Sequence, residues 1–494
     1  MKSLFYHMFF LFLVSLSLSS CYKDKGNYDI TPVDVIKIGG PSFATNNYTL
    51  VQSNILKIKP EFTFTGDPET LEYTWKVYPA SARTGDPSIQ IISHAKELEY
   101  EIKLPVADYS VLLEMKDPKT GVVRTKTYGL KVTVRGAQGF LVLNTKEGNL
   151  QDIDVIPNNA VAGGIIYGAF STNNKFELKD AVKLKMCLSL TYREGNLYVL
   201  GKTGGYMFNQ NYVRLQEAKN WFFDVPEQII PSAMYHDGLN TYIINNGSVH
   251  TTYSAAPPAL FTFRTPGNYK ADKAVFMGTR GIIYDELNHR FLKCTKSSAA
   301  TIERITVNPV DAFDVDAIGN KTCLHFDHNK QPSTAATIEH KPIAYCKDNE
   351  SGKVFAYKFG FYKSLVTYAE SVTEVTAPGF STATAYVSAS NNQLTYYAAG
   401  NKIYVYDSAT DVAREVYTFA DSNVSIDRLM TNGQQFLAVA NSKTSNSGAV
   451  YFFKLEGTGS FEGNTHFSKY DGFGKIQDVE YKFSALTGTT FNWK

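Results

Sequence analysis

Cysteine is scarce in this chain, and its few copies keep no metal-binding spacing. There are five, at 21, 187, 294, 323 and 346, and no two form a Cys-x-x-Cys pair. That pattern excludes the common structural zinc sites. An excess of either charge is also missing: 49 Lys and Arg face 47 Asp and Glu, for a formal net charge of +2. A chain so balanced carries no electrostatic footprint for nucleic acid. Past the first 20 residues no apolar run reaches the length of a membrane span. Amphipathic helical patterns are few. No nucleophile elbow, His-Glu-x-x-His or phosphate-cradling glycine loop occurs, so no residue is singled out for catalysis, a cofactor or a metal.

What is present begins at the N-terminus. Lys2 precedes an almost unbroken apolar run from Leu4 to Leu18, and Leu18-Ser19-Ser20-Cys21 reads as a lipobox. The run is too short, and its flanks too processing-like, for a stable span. Residues 1–20 are therefore expected to be a lipoprotein signal peptide, cut before Cys21, which accepts a diacylglyceryl group. A secretory signal whose Cys21 enters a disulfide is the alternative. Two or more acyl chains, at about 0.8 kcal/mol per buried CH₂, anchor a protein stably. Residues 21–30 are polar and form the lipidated tether.

Tyr and Phe are abundant, at 32 each, which leans all-β. Residues 31–135 read as one small β-sandwich. Ile55 to Phe64 alternates, Leu71, Tyr73, Trp75 and Val77 share a face, and Asp117-Pro118-Lys119-Thr120-Gly121 is a turn between two further strands. Trp75 is expected in the core. From Gly139 to the C-terminus the period lengthens. Apolar openings recur at Phe140-Leu141-Val142-Leu143, Leu197-Tyr198-Val199-Leu200, Tyr242-Ile243-Ile244, Gly281-Ile282-Ile283-Tyr284, Ile343-Ala344-Tyr345-Cys346, Leu394-Thr395-Tyr396-Tyr397 and Phe436-Leu437-Ala438-Val439. Each leads through a tight turn into a second strand, as at Asn245-Asn246-Gly247. Such a period predicts a β-propeller of about seven blades over residues 139–494, closed by the run Lys475 to Tyr481. Several sandwiches in series are the competing architecture.

Candidate sites are few. Asp311, Asp314 and Asp316 suggest calcium, but Ile318 and His325 stand where an EF-hand loop needs oxygen ligands, so a turn is expected. His325-Phe326-Asp327-His328 places His325 and Asp327 on one strand face, short of a zinc set. Asp152 and Asp154 share a face as a glycosidase pair does, but so does any i, i+2 pair. Gly457, Gly459 and Gly463 precede no helix and read as turn chemistry. A disulfide among Cys294, Cys323 and Cys346 competes with buried free thiols. The best binding candidate is Trp221-Phe222-Phe223 with Tyr235 and His236. On a strand, Trp221 and Phe223 would point one way and Phe222 the other, leaving an aromatic for ligand; a blade packing ridge is the competing reading.

Several of these stretches look familiar together. The segment Cys21-Tyr22-Lys23-Asp24-Lys25-Gly26-Asn27-Tyr28-Asp29 resembles the mature start of the PKD-like family lipoproteins of Bacteroidota. The strand Leu71-Glu72-Tyr73-Thr74-Trp75, the junction Gly139 to Leu143, Trp221-Phe222-Phe223 with Pro226, and Arg290-Phe291-Leu292 are similar to family motifs as well. The resemblance implies a surface lipoprotein beside a TonB-dependent transporter and its SusD-type lid, capturing glycan or peptide nutrients at the outer membrane. It carries no active-site pattern. A polysaccharide hydrolase or lyase on the propeller, or a purely structural docking subunit, are the alternative functions.

Overall fold

The chain divides into two units, residues 1–133 and 134–494. The structure, a computed structural model, describes residues 34–483 and 493 except for short internal segments, of which 329–338 is the longest. The expected signal peptide over 1–20, the expected lipidation site Cys21 and the expected tether over 21–30 lie outside the described residues.

The first unit is an all-β sandwich. One sheet has five strands in the order Asn47–Val51, Val123–Thr133, Ala107–Lys116, Glu72–Pro79 and Gln90–Ser93. Two shorter pairs, Ile55–Ile58 with Leu98–Glu101 and Ile36–Ile38 with Phe62–Phe64, complete it. Strand Glu72–Pro79 alternates, sending Tyr73, Trp75 and Val77 into one apolar core with Leu56, Val111, Leu113 and Val132. Trp75 is fully buried, and its indole N–H donates to the Ala95 carbonyl at 2.8 Å. One expectation changes here. The alternating run from Ile55 to Phe64 is two strands in different sheets, because Pro60 lacks the N–H a continuous ladder needs.

The second unit is a β-propeller. Among the described residues it has seven antiparallel sheets, each a blade. Blade 2 runs Ala181–Ser189, Glu194–Gly201, Gly205–Phe208, Arg214–Glu217, and blade 3 runs Pro231–His236, Thr241–Asn245, Ser248–Thr251. Blade 4 runs Ala271–Met277, Arg280–Asp285, Arg290–Lys296, Ala300–Arg304, and blade 5 runs Lys321–His328, Pro342–Asp348, Val354–Tyr362, Tyr368–Val375. Blade 6 runs Ala385–Ser388, Leu394–Ala399, Lys402–Asp407, Val412–Thr418, and blade 7 runs Val424–Thr431, Gln435–Ser442, Gly448–Lys454, Ser468–Phe473. Blade 1 is built from both ends of the unit: Gly139–Thr145 pairs with Gln151–Pro157 on one edge and with Lys475–Lys482 on the other. The first strand of each blade touches the first strand of the next, and Lys475–Lys482 touches those of blades 2 and 7, so the first strands form a hub and the ring closes.

The apolar runs follow from this stacking. A blade is covered on both faces, so successive residues of its second strand are buried in opposite directions. Phe140 and Val142 pack toward blade 7, whereas Leu141 and Leu143 pack toward blade 2. Tyr345 packs toward blade 6 and Cys346 toward blade 4. Each of the seven blade-to-blade interfaces has its own apolar cluster, including that between blades 7 and 1. Closure also needs Gly139. Its φ is +143°, and a Cβ there would lie 2.2 Å from the Ile156 carbonyl oxygen. At the blade 3 hairpin, Asn246 and Gly247 take φ of +47° and +76°, the left-handed pair of a type I′ turn.

Candidate functional site

The aromatic segment after blade 2 is not a strand. Trp221 closes a short 3-10 turn over Ala218–Asn220 with helical φ and ψ, and the simple alternation expected for residues 221–223 is therefore absent. Trp221 is 1% exposed and packs edge-on against Tyr198 at 5.2 Å between ring centroids. Phe222 is 4% exposed, against Phe261 and the buried His250 ring. Both belong to the apolar cluster between blades 2 and 3, so they present no face to a ligand. Phe223 does. It is 71% exposed and meets Phe263, 59% exposed, with ring centroids 5.7 Å apart in an edge-to-face arrangement.

The backbone beneath this pair is fixed. The Phe223 N–H donates to the Phe261 carbonyl at 2.8 Å, and the Phe261 N–H donates to the Trp221 carbonyl at 2.7 Å. Buried Trp221, Phe222 and Phe261 thus hold two exposed rings. Exposed Asp224 and Arg264 adjoin them in sequence. Phe263 lies outside the sequence-based set; the alternation Phe261-Thr262-Phe263-Arg264 is the signal that points to it.

Tyr235 and His236 lie elsewhere, on the hub strand of blade 3. The Tyr235 hydroxyl accepts the Ala274 N–H at 3.1 Å and its ring packs on Phe276 of blade 4. His236 Nδ1 lies 2.9 Å from Thr241 Oγ1. The five expected residues are therefore split among the blade 2–3 interface, the hub strand of blade 3 and an outer loop, and of the five only Phe223 is exposed.

The hub is the second concentration of chemistry. Lys185 pairs with Glu480 at 3.1 Å, Arg428 with Asp478 at 3.2 Å, and Lys273 with Asp272 at 2.7 Å. Asp478 also accepts the Leu184 N–H, and Glu480 the Met186 N–H, so two carboxylates of blade 1 dock the hub strand of blade 2. Lys183 donates to the Ser232 carbonyl of blade 3. Burial pulls the Lys183 pKa down, with Asp478 opposing. Burial works against the Lys185 ammonium too, but Glu480 outweighs it and the pKa ends above the usual lysine value. These carboxylates are engaged by cations and backbone N–H groups, which suits a structural ring better than acid–base turnover.

The remaining candidates resolve into local structure. Asp154 is fully buried and takes hydrogen bonds from Lys146 Nζ, Asn144 and the Gly168 N–H, while Asp152 takes them from Ser171 and the Ile153 N–H. Both carboxylates are buried. Asp311 accepts the Ala369 N–H of a distant strand, Asp314 accepts the Asp316 N–H within its own turn, and Asp316 lies 3.8 Å from Arg304, so the three carboxylates are engaged separately rather than around one ion. His325 Nε2 contacts Ser388 Oγ at 3.0 Å and its ring stacks between Tyr345 and Tyr386. Among the described residues no group of three His, Cys, Asp or Glu is placed to hold a metal. Cys187, Cys294, Cys323 and Cys346 are buried and unbridged.

The family model for PKD-like proteins matches residues 21–182, from Cys21 to the start of blade 2. The PKD-like match thus takes in the sandwich and the two outer strands of blade 1. No curated protein matches the chain. Among solved structures, a quinonprotein alcohol dehydrogenase-like protein from Bacteroides thetaiotaomicron aligns at 11% identity and a TM-score of 0.44, covering 91% of this chain and 99% of that one. The Dos1 propeller aligns at 9% identity and a TM-score of 0.34, covering 56% of this chain and 70% of that one.

Proposed function

We propose that this chain is a lipid-anchored protein of the outer membrane that captures a glycan for a TonB-dependent, SusCD-like uptake system. The lipobox at Cys21 supports the anchor, and the PKD-like family match supports the class. The observation that carries the binding role is the Phe223–Phe263 pair. Two large rings meet side by side, open to solvent, on a backbone fixed from below, which makes a paired apolar surface rather than a scattered exposed residue. A sugar offers C–H faces to such rings and hydroxyls to polar neighbours such as Asp224 and Arg264.

The test uses the mature body, without the signal peptide, on a broad glycan panel. Binding to one glycan class, weakened about tenfold or more in the Phe223→Ala/Phe263→Ala variant at unchanged Tm, is the expected result. Binding to peptides alone would replace the ligand class. Absence of any ligand, together with no co-purifying outer-membrane transporter, would end the proposal.

A further inference from the structure

The four buried thiols are not equivalent. Cys187 packs between blades 2 and 3, and Cys294 between blades 3 and 4. Cys323 and Cys346 instead share one cluster, between blades 4 and 5. They are also register partners. Cys323 on the hub strand of blade 5 stands opposite Cys346 on the second strand, in an antiparallel pair. Opposed residues in such a pair have Cα atoms about 4.5–5.5 Å apart, within the range a disulfide accepts. The ladder slips between Cys323 and His325, so the pair sits at the edge of a bulge, where backbone pairing is weakest.

We propose that Cys323 and Cys346 join in a cross-strand disulfide whenever the chain folds in the presence of a disulfide oxidant, as it would in an exported compartment. Two S–H bonds break and one S–S bond forms. The oxidant's own disulfide takes up the two protons and two electrons and leaves as a dithiol. Timing follows from burial. Both thiols are closed off in the finished blade, and burial pushes the Cys346 pKa well above the ordinary thiol value, so little thiolate is present there. The bond therefore forms while blades 4 and 5 are still docking. Once formed, it ties the hub strand across its bulge and is shielded from reductants.

Peptide mapping without reductant tests this directly. Protein unfolded and refolded with reduced and oxidised glutathione is expected to yield a linked peptide pair containing Cys323 and Cys346, two hydrogens lighter than their sum, with Cys187 and Cys294 free to alkylate. Alkylation of all four would overturn the proposal. The same map on protein trapped with alkylating agent in intact cells tests export separately. Linkage after refolding but not in cells would leave the pair's chemistry standing and count against the exported location. Reductant added during unfolding is expected to lower Tm by about 4 °C. A Cys323→Ala/Cys346→Ala variant should lose that response; an equal shift in both proteins would overturn the stapling role.

Discussion

The Lys482 ammonium lies 4.2 Å from the centre of the Tyr212 ring and donates to the Gln210 carbonyl at 2.6 Å. Lys482 belongs to the strand that closes the ring, whereas Gln210 and Tyr212 belong to the loop between the third and fourth strands of blade 2. The side chain is almost completely buried, and burial lowers its pKa to about 7.

Lysine in the unfolded chain titrates near 10.4. Between about pH 7 and 10 the unfolded state therefore binds more protons, and stability rises with pH across that window. Below it both states are charged, and the cost of burying the ammonium is constant. Lys482→Met removes the effect, which amounts to a few kcal/mol, on the order of 3–5 for a shift of this size. Urea midpoints from pH 6.5 to 9.5 should climb more steeply for the wild type than for Lys482→Met. Parallel slopes would refute the assignment.

Trp221 and Phe223 should separate stability from binding. Trp221→Ala empties part of the blade 2–3 interface and should cost about 3–5 kcal/mol. Phe223→Ala removes an exposed ring and should change stability by no more than about 0.5 kcal/mol. Chemical denaturation of both variants checks this. A stability loss at Phe223 comparable to that at Trp221 would show that the open ring is structural.

Asp285 anchors the turn between the second and third strands of blade 4. It is fully buried, pairs with Arg290 at 2.9 Å, and accepts the Lys270 and Leu287 N–H groups. Asp285→Ala leaves two backbone donors without their acceptor and weakens the hold on the half-buried Arg290 guanidinium, and should lose about 2–3 kcal/mol. Asp285→Asn keeps one acceptor and should lose less. Equal losses would mean that shape, not charge, is what the turn requires.

Cys21→Ala should leave both units folded but release the protein from the membrane fraction, read by fractionation with a folded-state probe. Continued membrane association would contradict the lipid anchor.

Much of the propeller is legible in the sequence, and the reason is physical. The seven apolar openings fall on the second strands of blades 1 to 7. Those strands are buried on both faces, so they carry the densest hydrophobic runs. The hub strands escape such a reading. Lys183, Lys185, Asp272, Arg428 and Glu480 interrupt them, because these strands are joined by ion pairs and hydrogen bonds, several of them to the next blade, as well as by apolar packing. The aromatic site was half legible. Trp221-Phe222-Phe223 marks the right place, but three adjacent aromatics do not say which is buried. That depends on the 3-10 turn at Ala218–Asn220 and on Phe261, distant in sequence. Cys323 and Cys346 could not be paired from spacing alone, since the pairing depends on strand register.

Blade 1 leaves the ring without a terminal repeat. In an open array of repeats, unfolding starts at an end and proceeds inward. Here Gly139 lies opposite Lys482, and that pairing must be undone before any blade is exposed at an edge. Bringing such distant segments together makes folding slow, and the same topology holds back the reverse step. For a chain exported as proposed, with no cytoplasmic machinery to refold it, half-life would then matter more than equilibrium stability.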